Sequence, residues 1–244
     1  MVEKVVRVEL YYILIINIYM QYFYLYILIL LCFIMAVSYW NTYNSFKESF
    51  NPDSDMFILL GDSILQNGIW ISEGKSIDYI LNERTKGKTL SLAVDGSKIV
   101  DVYSQINEIP SNINKITTVF LSVGGNDILS HYVENNNDST NYSALKPMFS
   151  AYKKLVQAIQ AKLPNANIVL LDIYYPQNLK YSKYHNVIQK WNNLIYGYAE
   201  DKKNNIEALL KVSKTLTKPE DFTFDIEPSS IGGVKLVNEI MERY

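Results

Sequence analysis

From Met56 to the C-terminus, short apolar runs alternate with longer stretches of helical period, and this alternation narrows the possible folds more than any other feature. Met56–Leu60, Thr89–Val94, Thr117–Val123, Asn167–Ile173 and Ile206–Val212 read as strands. Ser76–Arg84, Ile99–Ile106, Ala144–Leu163, Lys183–Asp201 and Ser230–Arg243 read as helices. Leu155, Ile159 and Leu163 recur at every fourth position and give their helix a core-facing stripe. The strands are apolar along their whole length, so both of their faces must be covered. The pattern predicts a mostly parallel α/β sheet between two layers of helix.

In such a sheet ligands bind beyond the carboxyl ends of the strands. Three strand-to-helix loops there combine glycine with small polar residues: Gly61-Asp62-Ser63, "AVDGSKI" with Gly96, and "SVGGNDI" with Gly124, Gly125, Asn126 and Asp127. Taken singly, each is explained by a turn glycine or by an Asp or Asn helix cap. Taken together, in order and at one sheet edge, they predict a site. The residue types suit attack on an ester carbonyl by a serine hydroxyl. Preorganised N–H donors at the developing oxyanion are worth about 3–4 kcal/mol each. A glycine lets a backbone N–H approach unobstructed, and an asparagine donates without changing its protonation state.

These blocks resemble those of the SGNH, or GDSL, hydrolases over residues 56–244. "FILLGDSIL" is similar to the first block, "LAVDGSKIVDV" to the second, "LSVGGNDIL" to the third and "DIEPSSIGGVKLVNEI" to the last. The resemblance implies a flavodoxin-like three-layer α/β/α sandwich with a five-stranded parallel sheet. It implies Ser63 as nucleophile and an oxyanion hole made by the backbone N–H groups of Ser63 and Gly96 with the Asn126 side-chain amide. The activity it implies is that of a serine ester hydrolase, of esterase or carbohydrate O-acyl esterase type, acting without a cofactor on an ester or an O-acylated small molecule or glycan. Asp62, Asp127, Asp225 and His185 are candidate supporting groups.

The last block departs from the family pattern, Asp-x-x-His-Pro-Ser. Here Glu227 precedes Pro228-Ser229, and Phe224 stands where the aspartate is expected, with Asp221 and Asp225 nearby. Three readings stay open. Glu227 serves as the base if burial raises its pKa, because an ordinary carboxylate near 4.3 is poorly matched to serine. Alternatively His185 or His131 supplies an imidazole, although His131 lies well round a helix from Asn126. In the third reading the chain is a binding protein without turnover. Tyr174, Tyr175 and Pro176 close the fourth strand and are candidate cleft walls.

The N-terminal region differs in character. From Leu10 to Phe46 there is no Asp, Glu, Lys or Arg, and residues 10–40 contain neither Gly nor Pro. About 20 apolar residues span a bilayer core. Residues 10–40 are therefore expected to form a single-pass transmembrane signal anchor, after a short flank at 1–9 and before a polar linker at 41–55. Lys4 and Arg7 precede the span and only Lys47 closely follows it, which favours an exoplasmic or lumenal domain. Ala36-Val37-Ser38 keeps a cleaved signal peptide open, and Met20 or Met35 a later start. Asn137-Asp138-Ser139 and Asn141-Tyr142-Ser143 are glycosylation sequons for a eukaryotic host. The single cysteine, Cys32, rules out an intrachain disulfide, and the two histidines lack metal-ligand spacing, so no metal site is expected. A formal charge of −2 without a basic stripe argues against nucleic acid as a partner.

Overall fold

The computed structural model describes residues 56–243 except 112, 114–116 and 133–141, together with scattered positions between 20 and 37. Two compact units divide the chain, Met1–Phe50 and Asn51–Tyr244. The described positions of the first unit are helical. The expected anchor at 10–40 lies largely outside the described residues, and the linker at 41–55 and both sequon asparagines lie wholly outside them. Among the described residues, no helix is long and apolar enough to cross a membrane.

The second unit is built on five strands: β1 (Met56–Gly61), β2 (Thr89–Ser91), β3 (Thr117–Ser122), β4 (Asn167–Leu171) and β5 (Ala208–Leu210). All pair in parallel, in the order β2-β1-β3-β4-β5. The chain passes from β1 outward to β2 and then back across to β3, so a topological switch point falls between β1 and β3, where the loops beyond the strands diverge to opposite faces. β1 and β3 run in register from Met56↔Thr117 to Gly61↔Ser122, and their following loops therefore leave at the same level.

Seven α-helices accompany the strands among the described residues: α1 (Ile77–Arg84), α2 (Val102–Glu108), α3 (Gly125–His131), α4 (Leu145–Lys162), α5 (His185–Glu200), α6 (Val212–Thr215) and α7 (Ser230–Arg243). On one face of the sheet, Leu59, Phe120, Val169 and Leu171 pack against Ile77 and Leu81 of α1 and Leu236, Val237 and Ile240 of α7. Alternation along the strands turns Ile58, Leu60, Val119, Leu121 and Leu170 to the other face, and these are also buried. That face is covered by the layer containing α4 and α5. There Tyr152 and Trp191 are fully buried, with ring centroids 5.5 Å apart and edge to face. The stripe of α4 is Leu145, Met148, Tyr152, Leu155, Val156 and Ile159, a three-four spacing. Each fully buried apolar side chain of this size contributes about 1.5–3 kcal/mol.

The edge strands are shorter than their apolar runs, which extend to Val94 and to Val212. Beyond Ser91 the backbone continues with isolated bonds, Leu92 N to Leu59 O and Val94 N to Gly61 O, each 2.9 Å. Three further pieces were not evident from periodicity: α3, a 3₁₀ turn at Leu179–Tyr184, and an antiparallel hairpin of β6 (Phe222–Thr223) and β7 (Glu227–Pro228).

Candidate active site

β1 ends at Gly61, whose φ is +126°, and a Cβ there would lie 1.7 Å from the Ser122 carbonyl oxygen. Only glycine fits this position. Its backbone is completed by Gln105 of α2: Gly61 N donates to Oε1 at 2.8 Å, and Nε2 donates to Gly61 O at 2.9 Å and to Ser97 Oγ at 3.1 Å. The next residue, Asp62, is buried, and its Oδ1 accepts from Ile64 N at 3.2 Å and Ser122 Oγ at 3.1 Å. Burial pushes its pKa up to about 7 against those two bonds, and the nearby Glu227 and Asp127 carboxylates add to the rise. Ser63 follows, its side chain on the wall of a cavity.

The loops after β2 and β3 are tied to one another. Asn126 Nδ2 donates to Ser97 O at 3.1 Å, and Asp127 Oδ2 accepts from Ile99 N at 3.0 Å. Burial raises the Asp127 pKa, partly offset by the bond from Ile99. Asp127 thus supports the loop carrying Gly96, whereas Asp62 is itself part of the cavity wall. Gly96 has φ +74° and lies at the solvent-exposed rim of its turn. Gly124, at φ +118°, sets the start of α3, and a Cβ on it would come within 2.6 Å of the Trp191 ring.

Glu227 reaches the same cavity from the β6–β7 hairpin. Burial raises its pKa, the neighbouring Ser63 side chain opposes that rise, and the Asp95 charge adds to it. Its Oε2 is buried and makes no hydrogen bond. The hairpin is held by Asn67, whose Nδ2 donates to Pro228 O at 2.8 Å while its Oδ1 accepts from Ile77 N at 2.9 Å. Tyr174 also donates its hydroxyl to Ile226 O.

Neither neighbouring aspartate orients Glu227. Asp225 accepts from Asn178 Nδ2 at 2.7 Å and pairs with Lys180 at 3.3 Å. Asp221 is buried. Burial alone would raise its pKa, but Lys235 and the Lys218 and Thr217 N–H groups hold it below the ordinary carboxylate value. Phe224, in the place where the family pattern has aspartate, adopts φ +45° and sets its ring 5.3 Å from Trp70. The histidines are engaged elsewhere. His185 Nε2 lies 2.9 Å from Pro176 O with its ring edge-on to Tyr175, and His131 Nδ1 lies 2.8 Å from Asp127 O. Neither histidine lines the cavity, nor does Tyr175, whereas Tyr174 and Pro176 do.

The cavity encloses about 520 Å³ including its open mouth. Asp62, Ser63, Asn126 and Glu227 supply its polar side chains, tyrosine hydroxyls apart, and Ile128, Leu129, Ile173, Tyr184 and Ile188 form much of the apolar wall. An apolar concavity with a few convergent polar groups is the usual form of a small-molecule site. Sequence reasoning missed Gln105, Asn67 and Asn192. Asn192 closes β4 as Gln105 closes β1: its Oδ1 accepts from Ile173 N at 2.9 Å and its Nδ2 donates to Ile173 O at 2.7 Å. The available signal was an amide inside an apolar helical stripe, as in Val102, Gln105, Ile106 and in Ile188, Asn192, Ile195.

A five-stranded parallel sheet in this order, with Ser63 on the loop beyond its first strand, is the SGNH-hydrolase type of α/β fold. Residues 59–230 match the GDSL-like lipase/acylhydrolase family, and the chain belongs to that family. Its fold is shared with phospholipase A1 from Streptomyces albidoflavus, at 12% identity and TM-score 0.56, covering 77% of this chain and 98% of that one. The extracellular lipase of Streptomyces rimosus is similar at 15% identity and TM-score 0.57, over 79% of this chain and 100% of that one. A family 3 carbohydrate esterase from Clostridium thermocellum is similar at 21% identity and TM-score 0.54, over 78% and 94%. No curated protein sequence matches the chain.

Proposed function

We propose that the chain is a serine ester hydrolase in which Glu227 replaces histidine as general base. The observation that carries this reading is the convergence of Ser63, Asn126 and a desolvated Glu227 carboxylate on the wall of one cavity. Ser63 Oγ attacks the ester carbonyl carbon as Glu227 takes its proton. The carbonyl oxygen becomes an oxyanion held by the Ser63 and Gly96 N–H groups and by Asn126. One Asn126 amide hydrogen is directed to Ser97, and an amide carries two. Collapse of the tetrahedral adduct breaks the bond to the alcohol oxygen, which takes the proton back from Glu227. Water, activated by the same carboxylate, then releases the acid from the acyl-serine. The raised pKa supports this role, because proton transfer is most efficient when the base lies nearer the working pH.

The substrate class in this reading is an ester or an O-acylated small molecule or glycan, with the domain held at a membrane by residues 10–40 on the exoplasmic or lumenal side. Turnover of short nitrophenyl esters by the full chain tests the chemistry. Ser63→Ala is expected to abolish it, and retention of the native rate in that variant overturns the assignment. The second reading, a non-catalytic binding protein, is favoured by the simultaneous replacement of the family's aspartate and histidine by Phe224 and Glu227. It gains the upper hand if the native chain turns over no ester and Glu227→His creates Ser63-dependent turnover.

A further inference from the structure

Loops that adjoin the cavity lining in sequence, or contact one another, carry large exposed apolar side chains that the hydrolytic chemistry does not use. Leu179 is 86% exposed, Phe224 67%, Ile69 66% and Val94 56%. They come from separate loops, yet a chain of contacts joins them. Phe224 packs its ring at a tilt against Trp70, the neighbour of Ile69, and Trp70 Nε1 donates to Asp95 Oδ1 at 3.0 Å, beside Val94. On the other side, Asp225 takes the bond from Asn178 and the charge of Lys180, which bracket Leu179. This rim runs close around the site: Asp95 acts electrostatically on Glu227, and Ile226, Pro176 and Tyr181, which line the cavity, adjoin the rim residues in sequence.

Two features show that this exposure is built in. Phe224 and Asp225 both adopt positive φ, at 45° and 74°, a conformation that costs a bulky residue of order 1 kcal/mol or more. The backbone is therefore held in an unfavourable state that presents an aromatic ring to solvent. The acidic groups among the apolar tips are also matched, Asp225 by the Lys180 ammonium and Asp95 by the Trp70 indole N–H. A surface of aliphatic and aromatic loop tips with its acidic side chains engaged suits the interfacial region of a bilayer, into which such residues partition. A soluble substrate would not require aliphatic tips on loops beyond the cavity wall.

We propose that this rim docks on a lipid surface, so that the cavity opens onto the membrane and draws an amphiphilic ester from it. The apolar wall of Ile128, Leu129, Ile173 and Ile188 then receives the hydrocarbon part without its passing through water. The polar stretch at 41–55 would let a domain anchored by residues 10–40 reach such a surface, since its fully extended length is about 50 Å. The substrate part of this inference rests on the esterase reading; the docking part does not.

The test uses the full chain reconstituted in phosphatidylcholine vesicles, with Cys32 replaced by Ala and a single cysteine introduced for a bimane label at Leu179, Ile69 or, as a control on another helix, Lys162. Lipids carrying shallow nitroxides are expected to quench the Leu179→Cys and Ile69→Cys labels at least threefold more than the Lys162→Cys label. Equal quenching at all three positions overturns the docking, whether or not the chain hydrolyses esters. The second arm compares Leu179→Asp with the native chain on a nitrophenyl ester embedded in the vesicles and on soluble nitrophenyl acetate. A loss of about tenfold on the embedded ester alone supports the delivery route. Equal rates on both substrates overturn that route and leave the esterase reading standing. If neither substrate is turned over by the native chain, the esterase reading fails and the quenching pattern alone decides the docking.

Discussion

The two halves of the site are held in different ways. On the Ser63 side, Gly61, Asp62 and the loops with Gly96 and Asn126 are bound into the ends of β1, β2 and β3 by buried bonds from Gln105, Ser122, Asp127 and the backbone. On the hairpin side, Glu227 sits on a two-residue strand with two left-handed residues in the turn, fastened by Asn67 and Tyr174. The nucleophile loops share the sheet's own hydrogen bonding, so a change there propagates into the core. The hairpin is an attachment to the finished fold, so its residues can change while the fold remains. That is why a chain can keep the first three blocks and yet carry Glu227 and Phe224 in the fourth.

The sharpest way to break this comparison is at Gly61. Gly61→Ala places a methyl group 1.7 Å from the Ser122 backbone oxygen where β1 and β3 end side by side, so no folded protein is expected. Recovery of a cooperative unfolding transition near the native midpoint would show the nucleophile half to be more pliable than described. On the base side the expected loss is chemical. Glu227→Gln should leave the denaturation midpoint nearly unchanged and lower kcat by about 10² to 10⁴. A comparable fall in stability would mean that the hairpin is part of the core after all.

Asp62 sharpens the contrast through pH. Its folded pKa of about 7 lies above the ordinary value near 3.9, so between these values the folded state keeps a proton that the unfolded chain has released. The stability tied to this group is complete below about pH 4 and is lost as pH rises through 7. Asp62→Asn keeps an acceptor oxygen for Ile64 N and Ser122 Oγ but cannot ionise. Relative to the native chain, it should gain on the order of 3 kcal/mol on going from pH 4 to pH 8. Urea unfolding at the two pH values measures this, and a pH-independent difference contradicts a protonated, buried Asp62. The smallest effect is expected at the hairpin tip. Phe224→Gly relieves the positive φ and removes the exposed ring contact with Trp70, leaving stability within about 1 kcal/mol of native.

The sheet and its long helices were legible because burial on both faces leaves a direct mark on sequence. The five apolar runs hold the five strands, and α4, α5 and α7 fall within a residue or two of their periodic stretches. The short pieces were not legible. Two residues on each side cannot display a period, and the β6–β7 pairing depends on Asn67 and Tyr174, far away in the chain. Ser63, Asn126 and Glu227 were singled out because loops at strand ends and a recognisable fourth block point to them, and they line one cavity. Gln105 and Asn192 escaped notice because a buried amide is visible only once its backbone partners are known. The left-handed Phe224 runs against residue preference altogether, and no local rule anticipates it.

Gly124 has a consequence for how the site responds to physical stress. The indole of Trp191, sealed in the helical layer, stands against the backbone that begins α3 and so acts as a mechanical stop for the loop bearing Asn126. Hydrostatic pressure, which squeezes out internal voids, would move that stop before it opens the sheet. Ligand affinity and turnover should thus decline over a pressure range in which the strands remain intact, with Trp191 emission changing in parallel. The helical layer is a gauge against which the loop bearing Asn126 is set.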